Sequence, residues 1–173
     1  MNDRQQSRNG SDEGVLGNYL HSHIVAAASG VRLFEQATKV WKHSSHASTL
    51  ARLTQEVDAD KTDLESLAAR LGLAMPAGKQ PLAWIGAQLS KVNPLNPLRS
   101  RGSFSGQLEL ETLETAVQGK RLLWETLLLL AAADSRLDAS ELERLDGRAK
   151  EQISEIHKIL LSTVPERFRE QGR

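Results

Sequence analysis

The chain has 173 residues, 22 Lys and Arg against 22 Asp and Glu, and no cysteine. That length suits one domain with a substantial core, and a net charge of zero excludes the global basic field of a nucleic-acid binder. Without cysteine there can be no disulfide, thiolate nucleophile or zinc–thiolate site, which suits the cytosol.

The first stretch, MNDRQQSRNGSDEG, has no apolar h-region and so reads as no secretory signal. Residues 1–13 are polar and without periodic apolar positions, which predicts a disordered N-terminal tail. A four-helix bundle is then expected over residues 14–165. Its first helix should run from about Val15 to about Lys42, with Leu20, Ile24, Ala27, Val31, Phe34, Thr38 and Trp41 as the inward stripe. Ala26, Ala27, Ala28 and Gly30 thin that surface, which would let a neighbouring helix approach closely. His43-Ser44-Ser45-His46 turns the chain into a second helix, from about Ala47 to about Leu71, with Gly72 as its stop.

Residues 72–104 hold four of the five prolines, no acidic residue, and one short helical candidate from Pro81 to about Lys91. A connection this long is uncommon inside a compact domain. It is long enough to cross from one end of a bundle of long helices to the other. The third helix is predicted from about Ser105 to about Ala133 and the fourth from about Ala139 to about Val164. Asp138 with Glu141 has capping-box character. Pro165 is expected to end the last helix, leaving a polar tail over residues 166–173. The most apolar run, Leu122 to Ala133, is interrupted by Glu125 and Thr126 and is too short to span a bilayer. Together these features predict a soluble all-α protein, a ferritin-like four-helix bundle with one long crossover between helices two and three.

Three helices share a 3-4-3-4 apolar seam, and each breaks it at the same step. Leu50, Leu53, Val57, Asp60, Leu64, Leu67 and Leu71 carry a carboxylate in mid-seam. Leu110, Leu113, Val117, Lys120, Trp124, Leu127 and Ala131 carry an ammonium, and Leu142, Leu145, Ala149, Gln152, Ile156, Ile159 and Thr163 an amide. The spacing keeps each set on one helix face. A buried polar group costs free energy unless partnered, so Asp60, Lys120 and Gln152 are expected to meet one another or a ligand. His23 lies beside the first-helix stripe and is a further candidate for that cluster.

A resemblance rests on particular residues: Leu110-Glu111-Thr112-Leu113, Gly119-Lys120, Leu123-Trp124 and Leu127, together with Glu56, Asp60, Leu71-Gly72 and Trp84. In these the chain, from about residue 18 to about residue 163, resembles a group of uncharacterised bacterial four-helix proteins of ferritin-like architecture. The resemblance implies the bundle fold and no particular activity.

A ferritin-like fold raises the question of a di-iron site, which needs two Glu-x-x-His pairs. The chain has none: Glu155-Ile156-His157 is spaced i, i+2, which throws its side chains to different faces. His43 and His46 flank a turn without carboxylates beside them and are weak metal candidates. Asp134-Ser-Arg-Leu-Asp138 lacks the glycine and alternate ligands of a calcium loop. Lys79, Trp84, Lys91, Arg99 and Arg101 make the crossover basic and partly apolar. It reads either as a plug on the bundle side or as a surface for a partner or anionic lipid. Basic residues and aromatics are too sparse for nucleic acid. No nucleophile–base pair, phosphate loop or cofactor fingerprint is present, so no catalytic residue or cofactor is assigned. The reading is a non-enzymatic bundle with a structural, interaction or small-ligand-binding role. The alternatives are a metal- or redox-linked ferritin-like protein with an atypical site, and a peripheral membrane protein using the crossover. Self-association or a protein partner remains open.

Overall fold

The computed structural model describes residues 3–75 and 103–169. They form four α-helices: α1 (Asp3–Val40), α2 (Ala47–Arg70), α3 (Ser103–Ala131) and α4 (Ala139–Arg169). Among the described residues there is no strand, and no helix is long and apolar enough to cross a membrane.

The apolar seams make the core. Leu50, Leu53, Val57, Leu64, Leu67, Leu110, Leu113, Val117, Trp124, Leu127, Leu142, Leu145, Ala149, Ile156 and Ile159 are all buried. From α1, Leu20, Ile24, Phe34 and Ala37 join them, while Ala27 and Val31 are only partly buried. The apolar run on α3 is divided by helical geometry. Leu123, Trp124 and Leu127 turn inward, and Leu122 and Leu129 face solvent.

Side-chain rungs fix the helix directions. Along α2 and α4, Arg52 pairs with Glu155, Arg148 with Asp60, and Arg70 with Glu141 (2.5 Å). One number rises as the other falls, so the two helices are antiparallel. Tyr19 Oη donates to Thr126 Oγ1 (3.3 Å), and the Trp41 indole just past α1 donates to Glu109 Oε2 (2.8 Å), so α1 and α3 are antiparallel too. The short turns after α1 and α3 reverse the chain. The order is therefore up-down-down-up, with α2 and α3 parallel across the centre. The start of α3 consequently lies at the opposite end of the bundle from the end of α2.

Local chemistry sets the helix ends. Leu71 caps α2 and Gly72 takes φ 74°, a left-handed conformation that glycine adopts without a Cβ penalty. Leu73 N–H then donates to Ala68 O (2.8 Å) and Gly72 N–H to Ala69 O (3.0 Å), a Schellman closure of the last carbonyls. His21 Nε2 lies 2.8 Å from Leu73 O and ties this end to α1. At α4 the Asp138 carboxylate accepts from Ser140 N–H (2.9 Å) and Glu141 N–H (3.3 Å). Glu141 turns instead to Arg70, so half of the expected capping box forms.

Two predicted boundaries need correction. Helix α1 begins at Asp3, within the stretch read as a disordered tail over residues 1–13. Once packing has nucleated a helix, propagation costs little, and it does not require an apolar stripe. Helix α4 passes through Pro165 to Arg169, where a polar tail was expected from residue 166. Proline removes one backbone donor and disfavours the turn before it. Here Arg167 anchors the final turn: its guanidinium lies 4.6 Å from the Trp41 ring centroid and its Nη1 donates to Gln107 Oε1 (3.4 Å). The crossover candidates Lys79, Trp84, Lys91, Arg99 and Arg101, and the short helix from Pro81, lie outside the described residues.

Candidate functional site

The three seam-breaking residues meet at mid-height. Lys120 Nζ, from α3, donates to Asp60 Oδ2 on the diagonal helix α2 and to Gln152 Oε1 (2.6 Å) on α4. Gln152 Nε2 donates in turn to Asp60 Oδ2 (3.1 Å) and Glu56 Oε2 (3.2 Å). Asp60 and Gln152 are fully buried, and the Lys120 side chain is 14 % exposed. Burial pulls the Lys120 ammonium below the usual lysine range, while the Asp60 carboxylate works to hold it up. Two acceptors facing Nζ suit the charged form.

The network continues outward through residues that the seam pattern did not single out. The Arg148 guanidinium pairs with Asp60 and with Asp63 (2.6 Å). Burial opposes its charge, but these two carboxylates outweigh that and raise its pKa above the ordinary arginine value. Arg52 bridges Glu56 (2.5 Å) and Glu155 at the outer rim. Arg148 escapes the seam pattern because it flanks Ala149 on the core margin and reaches back to buried Asp60. The signal that could have found it is its place four residues before Gln152, one turn away on α4.

Beside this network, between α1, α2 and α3, lies a cavity of about 550 Å³. That is within the range of ordinary small-molecule sites, roughly 300–1,000 Å³. From α1 it is lined by His23, Ala26, Ala27, Gly30, Leu33 and Phe34. From α2 come Val57, Asp60, Lys61 and Leu64, and from α3 Thr115, Val117, Gly119, Lys120, Leu123 and Trp124. The lining includes the exposed Ala26 and Thr115, so the cavity opens along the α1–α3 seam.

The origin of the cavity is legible in the side chains. The Tyr19–Thr126 and Trp41–Glu109 hydrogen bonds hold α1 to α3 near its two ends. Between them α1 presents small residues on the side that faces the cavity. They leave room. A Cβ built on buried Gly30 would meet no heavy atom within 4 Å, and the same holds for Gly119 on the facing helix. Trp124 is fully buried and lines the cavity, and its Nε1 has no hydrogen-bond partner.

His23 is not hydrogen-bonded to the cluster. It lines the same cavity and packs edge-on against Tyr19, with ring centroids 4.7 Å apart. Burial lowers its pKa below 6.5, which favours the neutral ring. His43 is exposed in the turn, and His46 lies against the Trp41 ring (6.4 Å between centroids) with its Nε2 3.4 Å from Ser162 Oγ. Among the described residues no group of three or more His, Asp or Glu is arranged to hold a metal ion.

A second polar site closes the opposite end. Glu109, 6 % exposed, accepts from the Trp41 indole through Oε2, while its Oε1 has no hydrogen-bond partner. Burial raises its pKa, with the Trp41 hydrogen bond and Arg167 opposing. No family model matches the chain, and no curated protein or solved structure matches it.

Proposed function

We propose that this protein is a non-enzymatic, ferritin-like helical bundle that binds a small, mainly apolar molecule between α1, α2 and α3. The observation that carries the reading is the cavity of about 550 Å³, walled by Phe34, Val57, Leu64, Leu123 and Trp124 and open to solvent on one side. A well-formed apolar pocket with a few convergent polar groups is the usual form of a ligand site. The ferritin-like assignment is supported by the up-down-down-up order, with two short connections and one long one.

The Asp60–Lys120–Gln152–Arg148 network has a structural role beside the cavity. Its ion pairs and hydrogen bonds join α2, α3 and α4, and a buried ion pair of this kind serves registry better than net stability. It occupies the height at which ferritin-like proteins place inward carboxylate and histidine ligands, and here an ammonium fills that space.

The test uses N-phenyl-1-naphthylamine, a neutral apolar fluorophore that brightens when removed from water. Titrated into the full chain, it should show saturable one-to-one binding. Gly30→Leu should place a side chain in the empty volume, keep the helical circular dichroism signal and abolish the fluorescence rise. Non-saturable brightening, or unchanged binding by a folded Gly30→Leu variant, would overturn the reading.

A further inference from the structure

We infer that the ligand of this cavity is an uncharged molecule, an apolar body carrying one hydroxyl group that bonds to the His23 imidazole. The inference rests on the cavity being a ligand site and adds the ligand's chemical class. The first observation is His23 itself, which lines the cavity from α1 and packs edge-on against Tyr19. Neither ring nitrogen has a hydrogen-bond partner among the described residues, and neither is sealed away from open space. Burial favours the neutral ring, which carries one N–H donor and one acceptor. A body that pushes water off this ring leaves both unpaired unless it brings a replacement. A hydroxyl both donates and accepts, so it serves either tautomer.

The second observation is charge. The charged groups that line the cavity with His23 are Asp60 and Lys61 on α2 and Lys120 on α3, and each is already matched. Lys61 Nζ pairs with Glu65 (3.1 Å), Lys120 Nζ with Asp60, and Asp60 also with Arg148. Neither sign is left over for a ligand. An ion of either sign would leave water without gaining a counter-charge, which costs far more than moving a neutral hydroxyl onto a waiting partner.

The third observation is position. His23 and Phe34 both line the cavity, and at 1.5 Å per residue they stand about 16 Å apart along α1. Val57, Leu64 and Leu123 supply apolar wall from the facing helices. The imidazole therefore meets one end of a ligand, and the hydroxyl belongs there, with the hydrocarbon or aromatic body reaching toward Phe34.

Naphthalene, 2-naphthol, 2-naphthoate and 2-naphthylmethylammonium share one ring system and would compete at pH 7 with bound N-phenyl-1-naphthylamine. 2-Naphthol should displace the fluorophore about fivefold better than naphthalene. Both ions should displace it at least tenfold less well than 2-naphthol. In proton NMR the His23 ring should titrate at lower pH with 2-naphthol bound, because the ligand holds the neutral form. His23→Phe, checked for folding by circular dichroism, should bind 2-naphthol no better than naphthalene. An ion that competes as well as 2-naphthol, no advantage of 2-naphthol over naphthalene, or an advantage kept in His23→Phe would overturn the proposal while leaving the cavity as a site. An unmoved His23 titration with 2-naphthol bound would do the same. If neither the fluorophore nor the naphthalenes bind, the cavity reading fails as well.

Discussion

Asp60 and Lys120 show how a polar residue inside an apolar seam can be read. Each stands at the fourth step of a regular pattern, so its burial follows from helical geometry, and its need for a partner follows from burial. Their meeting, with Gln152 between them, was therefore legible in the sequence. Arg148 was not, because a residue beside a seam is ordinarily solvated, and only the fold brings it to Asp60. Removing the Asp60 carboxylate leaves the buried Lys120 ammonium without its counter-charge, so Asp60→Leu alone should cost about 3–5 kcal/mol in urea denaturation. Asp60→Leu combined with Lys120→Met should recover most of that loss, since Arg148 retains Asp63 and Gln152 retains Glu56. A double variant no more stable than the single would show that the pair does more than set register. His23 gives a pH signature. Its folded-state pKa lies below the unfolded value, so between the two the unfolded chain binds more protons. Its contribution to stability is therefore present above pH 6.5 and is lost as pH falls toward the folded-state value. Denaturation from pH 7 to pH 5 should show this component in the wild type and lack it in His23→Phe.

At the scale of the helix, ends set by local chemistry were readable and ends set by distant contacts were not. Gly72 closes α2 through its positive φ, and Asp138 caps α4, both as the residue types imply. Asp138→Ala should lower thermal stability by about 1 kcal/mol. The end of α4 was misread because Pro165 is a strong local stop, whereas Arg167 on Trp41 is a contact between residues far apart in sequence. The early start of α1 was missed for a similar reason: periodicity detects packing, and those residues continue a helix that packing has started. The small residues on α1 were expected to let a neighbouring helix approach closely, and the space around Gly30 and the facing Gly119 is empty. That space has a measurable consequence. Gly119→Ala should stabilise the protein by roughly 0.5–1 kcal/mol, because the added methyl meets nothing and helix propensity improves. A loss of stability would show that the space around Gly119 is filled.

Across the molecule, the short-long-short connections predicted helix order, and the α2–α4 and α1–α3 rungs give the up-down-down-up arrangement. That arrangement places the polar network at the centre. Three helices meet at Asp60, Lys120 and Gln152, and the cavity lies beside that network, where α1 presents Ala26, Ala27 and Gly30. The measurement that tests this most directly is the location of N-phenyl-1-naphthylamine by intermolecular nuclear Overhauser effects to methyl groups. Contacts to Val57, Leu64 and Leu123 are predicted, with none to the solvent-facing Leu122 and Leu129. Contacts confined to Leu122 and Leu129, or none to the cavity methyls at saturation, would contradict the account.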